Sequence, residues 1–468
     1  MQHEMPVRKM FAMLKRDNLL PSILFRSSRR QCNEDIEALA RLPYSLVSPV
    51  RRDKIKEMLV TLQDKYQIPP DVIEGHEHYR TLTEHAIGAH HAGQLLIWRL
   101  FLEELMAGGL LKMMIATGTV AAGVDFPARS VIITAHSKRG NEGFNVLTAS
   151  EFQQMSGRAG RRGKDAVGIC VVAPGPYCDA RVIHQIADRP PEPLRSAYFA
   201  SPSTVLNLLK YRNVDDLIFT VERSLGAFHD RRAATGLRKE AELRAEELNN
   251  NDQKSVAEKK RLEKRVRRIE RDAELLDKRQ STILTQSLDG LEKLGFVESG
   301  MLTEKGSWAA ALCTNLVLEL GEAIEAKIFD DLGYRQLAAL VASIAGDSYR
   351  AYFSLRANPI PKEYFDQLRE VCERVNKFYQ SPLRVPTEVV PDAALTVIMW
   401  LESPSWGDFS SLLRLAGVAE GDVSRLVSQT AEHLNQMSHL TLTHPKLATI
   451  ASEARMKLLR PPLSDSYA

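Results

Sequence analysis

Residues 154–163 read Gln154-Met155-Ser156-Gly157-Arg158-Ala159-Gly160-Arg161-Arg162-Gly163. Glycines at 157, 160 and 163 remove side chains where another backbone or a ligand must approach closely. Arginine supplies a permanent, forked positive charge that matches phosphate oxygens. If the stretch continues a helix, Gln154, Arg158 and Arg161 fall at i, i+4 and i+7, and one amide and two guanidiniums leave the same face. In isolation such a string is most simply a basic surface loop. Its neighbours decide its meaning.

Upstream, Met113-Met114-Ile115-Ala116-Thr117 is a short apolar run of the kind found in buried parallel strands, and Gly118 leads from it into Thr119-Val120-Ala121-Ala122-Gly123-Val124-Asp125-Phe126-Pro127. Thr117 and Gly118 sit where a strand ends and a helix begins, a place where backbone N–H groups and hydroxyls hold a phosphodiester without reading its bases. Pro21-Ser22-Ile23-Leu24-Phe25 is a further strand, and Ser28-Arg29-Arg30-Gln31 opens a helix with Cys32, Ile36 and Leu39 inward. Gly88-Ala89-His90-His91-Ala92-Gly93 follows another. Strands near 22–25, 87–89, 112–116, 130–135 and 168–172 alternate with helical stretches, which predicts an α/β fold with a parallel sheet.

In this order the segments resemble the motifs of the second RecA-like lobe of superfamily 2 helicases, most closely the superkiller-type, exosome-associated DExH-box RNA helicases. His90-His91-Ala92-Gly93, the run from Ala116 to Pro127 and the string from Gln154 to Gly163 all look like that family's versions. The resemblance implies that Arg158 and Arg161 are arginine fingers reaching ATP on a partner lobe, and that Gln154 positions them or the attacking water. Gly123 and Asp125 then lie near the nucleotide or couple it to the nucleic acid, a helix or turn cap being the equal alternative for Asp125. Thr117, Gly118 and His91 touch the nucleic-acid backbone, a packed or surface histidine pair being the alternative for His91.

A helicase of this class also needs a first RecA-like lobe, with a Gly-x-x-x-x-Gly-Lys-Ser/Thr loop for phosphates and an Asp-Glu pair for Mg2+. The Gly163-Lys164 step precedes Asp165 and lacks the earlier glycine and the hydroxyl, so these 468 residues contain no such loop. The expectation is a C-terminal half that shares ATP with a first lobe supplied in cis or trans, leaves Mg2+ to that lobe, holds no metal of its own and does not hydrolyse ATP alone.

Other segments extend the pattern. Ala135 to Arg139 and Gly143 to Leu147 flank Gly140-Asn141-Glu142, which predicts a projecting β-hairpin. In related helicases the equivalent hairpin parts the duplex, so Lys138, Arg139 and Phe144 are candidate nucleic-acid contacts, an ordinary surface hairpin being the alternative. Ser150-Glu151-Phe152-Gln153 reads as the cap of the helix that delivers Gln154.

The lobe is expected over 1–182, and Pro190-Pro191-Glu192-Pro193 is a stiff connector beyond it. Helices over 203–210, 214–225 and 283–294, followed by two short strands about Ser299-Gly300, predict a winged helix formed by 183–227 plus 283–307. The intervening 228–282 read as a helical hairpin. Leu262, Val266, Ile269, Ala273 and Leu276 step by four and three, Leu237, Ala241, Arg244 and Leu248 give the partner helix, and Asn249 to Asp252 make the turn. It is similar to a shortened form of the stalk the family carries here, with no room for a head. Its basic run (Lys259, Lys260, Arg261, Lys264, Arg265, Arg267, Arg268, Arg271) is interleaved with acids, which favours a solvated stalk over a nucleic-acid site. Residues 308–468 read as all-helical, like the family's C-terminal helical domain. Gly421 to Arg425 resembles the start of the helix that lies along the threaded strand, so Arg425 is a candidate contact with a surface salt bridge as the equal alternative. Trp400 and Trp406 are expected in the core.

With 44% hydrophobic residues the chain can bury two or three cores, and a net charge of +3 neither requires nor excludes a nucleic-acid partner. Five cysteines without metal-like spacing read as reduced intracellular thiols. No secretory segment is apparent, and the apolar stretch Ala393 to Leu401 is far too short for a bilayer, so a cytoplasmic location is expected. The function expected is the C-terminal portion of an ATP-dependent helicase acting on single-stranded RNA. The alternatives are a non-catalytic RNA-binding adaptor, an inactive truncated product, or a DNA repair-type helicase fragment.

Overall fold

The computed structural model describes residues 4–118, 128–140, 143–173, 175–196, 198–249, 256–381 and 384–464. Its first part is built on strands β1 (Ser22–Arg26), β2 (Ile87–His90), β3 (Met113–Thr117) and β4 (Ser130–Ile133), the hairpin strands β5 (Ser137–Gly140) and β6 (Gly143–Val146), and β7 (Ile169–Val172). The central sheet runs β2-β3-β1-β4-β7, and every pairing in it is parallel. All the strands expected from the sequence are present.

Parallel strands covered on both faces must be apolar throughout, and Ile23, Leu24, Phe25, Met113, Met114, Ile115, Val131, Ile132 and Ile133 are all buried. Helices Val7–Arg16 and Arg29–Ala40 cover one face, bringing Met10, Phe11, Leu14, Cys32, Ile36 and Leu39 against Leu24, Ile115 and Ile132. Helices Pro49–Tyr66 and Leu96–Ala107 cover the other with Ile55, Leu59, Trp98 and Phe101. Ser28 caps its helix as expected, accepting from the Gln31 amide at 3.2 Å.

Beyond the sheet, helices Pro202–Leu209, Val214–Glu222 and Arg279–Lys293 gather beside a ribbon of β8 (Val297–Glu298) and β9 (Met301–Leu302). Ser299 and Gly300 turn that ribbon at φ 50° and 77°. Helices Leu225–Asn249 and Val256–Asp277 form the hairpin. Ala234 and Ala241 on one helix meet Val266 and Ala273 on the other, with Leu262, Ile269 and Leu276 half-buried, so the seam lies where the heptad spacing put it. The expected turn falls mostly on 250–255, outside the described residues. Between Glu304 and Leu458 the described elements are all helices, around a cluster in which Trp400 and Trp406 lie edge to face at 5.3 Å with Phe409 beside both. No helix among the described residues is long and apolar enough to cross a membrane.

The sheet lobe and the C-terminal helices are clasped together directly. The Gly421 amide, in the first turn of helix Glu420–Ser438, donates to the Gly93 carbonyl at 3.0 Å. A Cβ on Gly421 would lie 2.3 Å from the Ala92 carbonyl oxygen and 2.6 Å from that of Gln94. Next to it, the mostly buried Asp422 carboxylate accepts from Arg29 of the lobe at 2.8 Å and from Arg350 at 2.9 Å. Arg414 donates to the Gly75 carbonyl at 3.1 Å, and the Gly407 amide to Asp71 at 3.2 Å. Because the obstruction at Gly421 is backbone, Gly421→Ala must separate the two parts. We expect it to lower stability by about 1–3 kcal/mol, read from the urea midpoint, and an unchanged midpoint would refute the tight contact.

Candidate functional site

In open parallel sheets ligands bind beyond the carboxyl ends of the strands. Here the ends of β1 and β3, the start of β5 and helix Ala149–Ser156 surround a cavity of about 300 Å³ lined by Arg26, Ser27, Thr117, Gly118, Lys138, Glu151 and Gln154. The structure thereby brings Thr117, Gly118, Lys138 and Gln154, all predicted from sequence, to one place. Gly118 borders open space, since a Cβ there would meet nothing within 4 Å.

The helix carrying Gln154 begins at Thr148, two residues before the predicted Ser150 start. The Thr148 hydroxyl accepts from the Glu151 amide at 3.2 Å while the Glu151 carboxylate accepts from the Thr148 amide at 3.0 Å, a reciprocal capping box. Glu192, from the proline-rich connector, adds a second cap. Its carboxylate oxygens accept from the Ala149 and Ser150 amides at 2.9 Å each. Hydrogen bonds from Ser150 and Ala149 hold its carboxyl at about 2, as a helix N-terminus favours an anion.

The continuous helical face expected for Gln154, Arg158 and Arg161 is not formed. The helix stops at Ser156, so of the three only Gln154 is helical. The chain leaves because Arg158 and Gly160 turn to Ala128, with the Ala128 amide 2.9 Å from the Arg158 carbonyl and the Gly160 amide 2.7 Å from the Ala128 carbonyl. Gly160 takes φ 94°, and a Cβ on Gly168 would stand 2.3 Å from the Ala159 carbonyl. These are conformations and approaches that glycine permits.

Arg158 is half-buried in this turn. Arg161 is engaged by Asp165 through two parallel bonds, Nε to Oδ2 at 2.7 Å and Nη2 to Oδ1 at 2.9 Å, while the Arg161 amide also donates to Oδ2 at 3.1 Å. The Asp165 side chain is 4% exposed, with Arg129 Nε 3.8 Å away. The bonds from Arg161 pull its carboxyl down to about 2. Nη1 of Arg161 is outside this fork, and Arg162, which the sequence did not single out, is exposed. A loop with three arginines and no unmatched acid suits the phosphates of ATP better than a cation. Among the described residues no group of three or more His, Cys, Asp or Glu could hold a metal ion. Gly123 and Asp125 lie outside the described residues.

His91 is 2% exposed, and its ring is spent within the protein. Nε2 meets Asn33 Oδ1 at 2.8 Å, and Nδ1 accepts from the Gly93 amide at 3.1 Å. Burial, then the Arg29 charge, pushes its pKa down to about 3. The ring shapes the loop that Gly421 docks on. In the hairpin, Lys138 pairs with Glu151, Arg139 stands opposite Phe144, and the Phe144 ring is 67% exposed. Arg425 pairs with Asp347 and keeps 40% of its side chain exposed.

Arg26, Ser27 and Glu151 of the cavity were missed. Arg26 is the last residue of β1, opposite Thr117, and its place directly after the expected strand 22–25 was the signal. Its guanidinium is buried between Asp35, at 2.6 Å, and Glu4.

Residues 299–465 match the DSHCT (NUC185) domain. The chain is 31% identical over 229 residues to the probable helicase HelY of Mycobacterium tuberculosis, covering 49% of this chain and 25% of that protein. It is 30% identical over 245 residues to the exosome RNA helicase MTR4 of Homo sapiens, with 52% and 23% covered. It is 31% identical over 232 residues to superkiller complex protein 2 of Mus musculus, with 48% and 18% covered. The matched part thus spans about a quarter or less of each relative. The DSHCT match and these likenesses make the chain similar to C-terminal portions of superkiller-type DExH-box helicases.

Two measurements test the roles of the interior partners. His91 stays neutral in the folded chain down to about 3, whereas an unfolded histidine protonates near ~6.5. Between those values the unfolded state binds the extra proton, so stability present above pH ~6.5 is lost as pH falls, by about 1.4 kcal/mol per pH unit for this group. His91→Gln should flatten a plot of urea stability against pH by that slope, and an identical slope would show that His91 is not the linked group. Asp165→Asn should raise amide hydrogen exchange across 158–168. Protection equal to the unaltered chain would mean that the Arg161 fork does not hold the loop.

Proposed function

We propose that this chain is the C-terminal portion of an ATP-dependent RNA helicase, supplying arginines to a shared nucleotide pocket and a track for single-stranded RNA. The observation that carries the reading is the convergence of Thr117, Gly118, Lys138 and Gln154 on one cavity at the carboxyl edge of the parallel sheet. That cavity is lined by Gln154 and Met155, from the helix that runs into the glycine-arginine loop, in a chain similar to the exosome RNA helicase MTR4.

In this reading Thr117 and the backbone at Gly118 hold the strand by its phosphates, and the exposed Phe144 ring on the hairpin stacks on a base or wedges a duplex. Lys138 tethers the hairpin to the Gln154 helix through Glu151, so a shift of one moves the other. Arg158 and Arg161 are the fingers, and Arg161 exchanges part of its bond to Asp165 for a phosphate oxygen when the lobes close. ATP with Mg2+, held by a first lobe in cis or trans, supplies the phosphoryl-transfer energy when bound. Gly123 and Asp125 belong near that nucleotide, and Arg425 lies on the path of the strand once it leaves Asp347. The helices Pro202–Leu209, Val214–Glu222 and Arg279–Lys293 with their ribbon are read as a winged helix packed beside the lobe, and movement along RNA is read as 3′ to 5′ in the cytoplasm.

A second reading, an RNA-binding adaptor without turnover, is favoured by one observation, the two parallel hydrogen bonds that tie Arg161 to Asp165. The two readings separate in the chain joined to a first lobe. Arg158→Ala and Arg161→Ala should each reduce ATP turnover by about 10³-fold or more while RNA affinity stays within about two-fold. A parallel loss of turnover and RNA binding argues against finger chemistry. Turnover that survives Arg161→Ala assigns that residue to the loop's architecture alone.

A further inference from the structure

In sequence, the basic run of the helical hairpin is interleaved with acids; on the folded helix the two signs are sorted. At about 100° per residue, Lys260, Lys264, Arg267 and Arg271 of helix Val256–Asp277 stack into a stripe pointing away from the buried seam of Val266 and Ala273. Arg261, Arg265 and Arg268 lie on the adjoining side, and all seven are exposed. Together they occupy an arc of about 160°. Glu263, Glu270, Glu274 and Asp277 collect on the opposite flank, between stripe and seam. Asp272 is the acid inside the basic arc, 3.8 Å from Arg268, and Glu258 stands at its margin.

A helix held straight by its partner keeps these charges in fixed register over about 16 Å, with about 6 Å between i and i+4 residues. Like charges so arranged repel one another, and a linear polyanion relieves that repulsion. The arc has no aromatic residue, and Leu275 is its one large apolar side chain. Protein partners are usually gripped by buried aromatic or apolar anchors, whereas phosphate contacts need none.

We propose that the outward face of helix Val256–Asp277 is a second nucleic-acid-binding surface, which takes the phosphodiester backbone of a single strand without reading its sequence. It does not depend on the lobe cavity or on any nucleotide.

The test is fluorescence anisotropy of the whole chain with labelled single-stranded RNA and DNA of one mixed sequence, over a series of salt concentrations. The K260E/K264E/R267E/R271E variant should bind at least ten-fold more weakly at low salt. Its slope of log K against log salt should be shallower by about 3, from four lost contacts at about 0.7 each. The K260Q/K264Q/R267Q/R271Q variant should fall between, and circular dichroism should be unchanged because the residues are exposed. Equal losses for both strands support a backbone surface, and a loss confined to RNA supports it with RNA as the ligand. Affinity and slope matching the unaltered chain would overturn the proposal, as would an unaltered chain that binds neither strand. Lys138→Ala measured in parallel keeps the two readings apart. If it weakens binding while the helix variants do not, the lobe track stands and this surface falls, and the reverse result has the reverse meaning.

Discussion

Backbone lying directly on backbone, with no room for a Cβ between, is the constraint on which this architecture rests. It occurs where Gly168 meets the Ala159 carbonyl, which closes the arginine loop onto the sheet. It recurs where Gly421 sits on the Ala92–Gln94 loop, which fixes the DSHCT helices to the lobe. In both places a segment is held by main-chain contact, a stiffer connection than one made through flexible side chains. The loop after β2 and the helix bearing Arg425 are thereby joined through a few atoms. A displacement of either segment must be felt by the other.

Charge in this chain is used largely to hold its own parts. Arg26 is buried between Asp35 and Glu4, Arg29 and Arg350 share Asp422, Arg161 is forked onto Asp165, and Arg425 is paired with Asp347. Removing one partner of such an embedded pair strands the other, which costs more than the pair contributes. The pairs of Arg26 with Asp35 and of Arg350 with Asp422 therefore work as fixed joints. The arginines and lysines of the stalk stand in contrast, exposed and sorted to one side of their helix.

The fold was legible to an unusual degree because its signals are local. Continuous apolar runs marked buried parallel strands, Ser28 with Gln31 marked a helix start, and steps of four and three from Leu262 to Leu276 marked a two-helix seam. Local signals misled where a distant segment intervened. The period through Arg158 and Arg161 reads as helix, yet Ala128 draws that stretch into a bridge and ends the helix at Ser156. The partners that bury His91 were likewise invisible, since Asn33 and the helices that meet it come from elsewhere in the chain.

The sequence by itself determined the α/β class, the strand order along the chain, the helical C-terminal region and the residue types able to meet phosphate, because spacing and side-chain chemistry are properties of neighbours. Tertiary structure alone decided that Thr117, Gly118, Lys138 and Gln154 face one cavity, that Arg161 is tied to Asp165, and that Gly421 docks on the His91 loop. The physical reason is that those relations join segments far apart in the chain. Their geometry exists only once the sheet and the glycine-permitted contacts have closed.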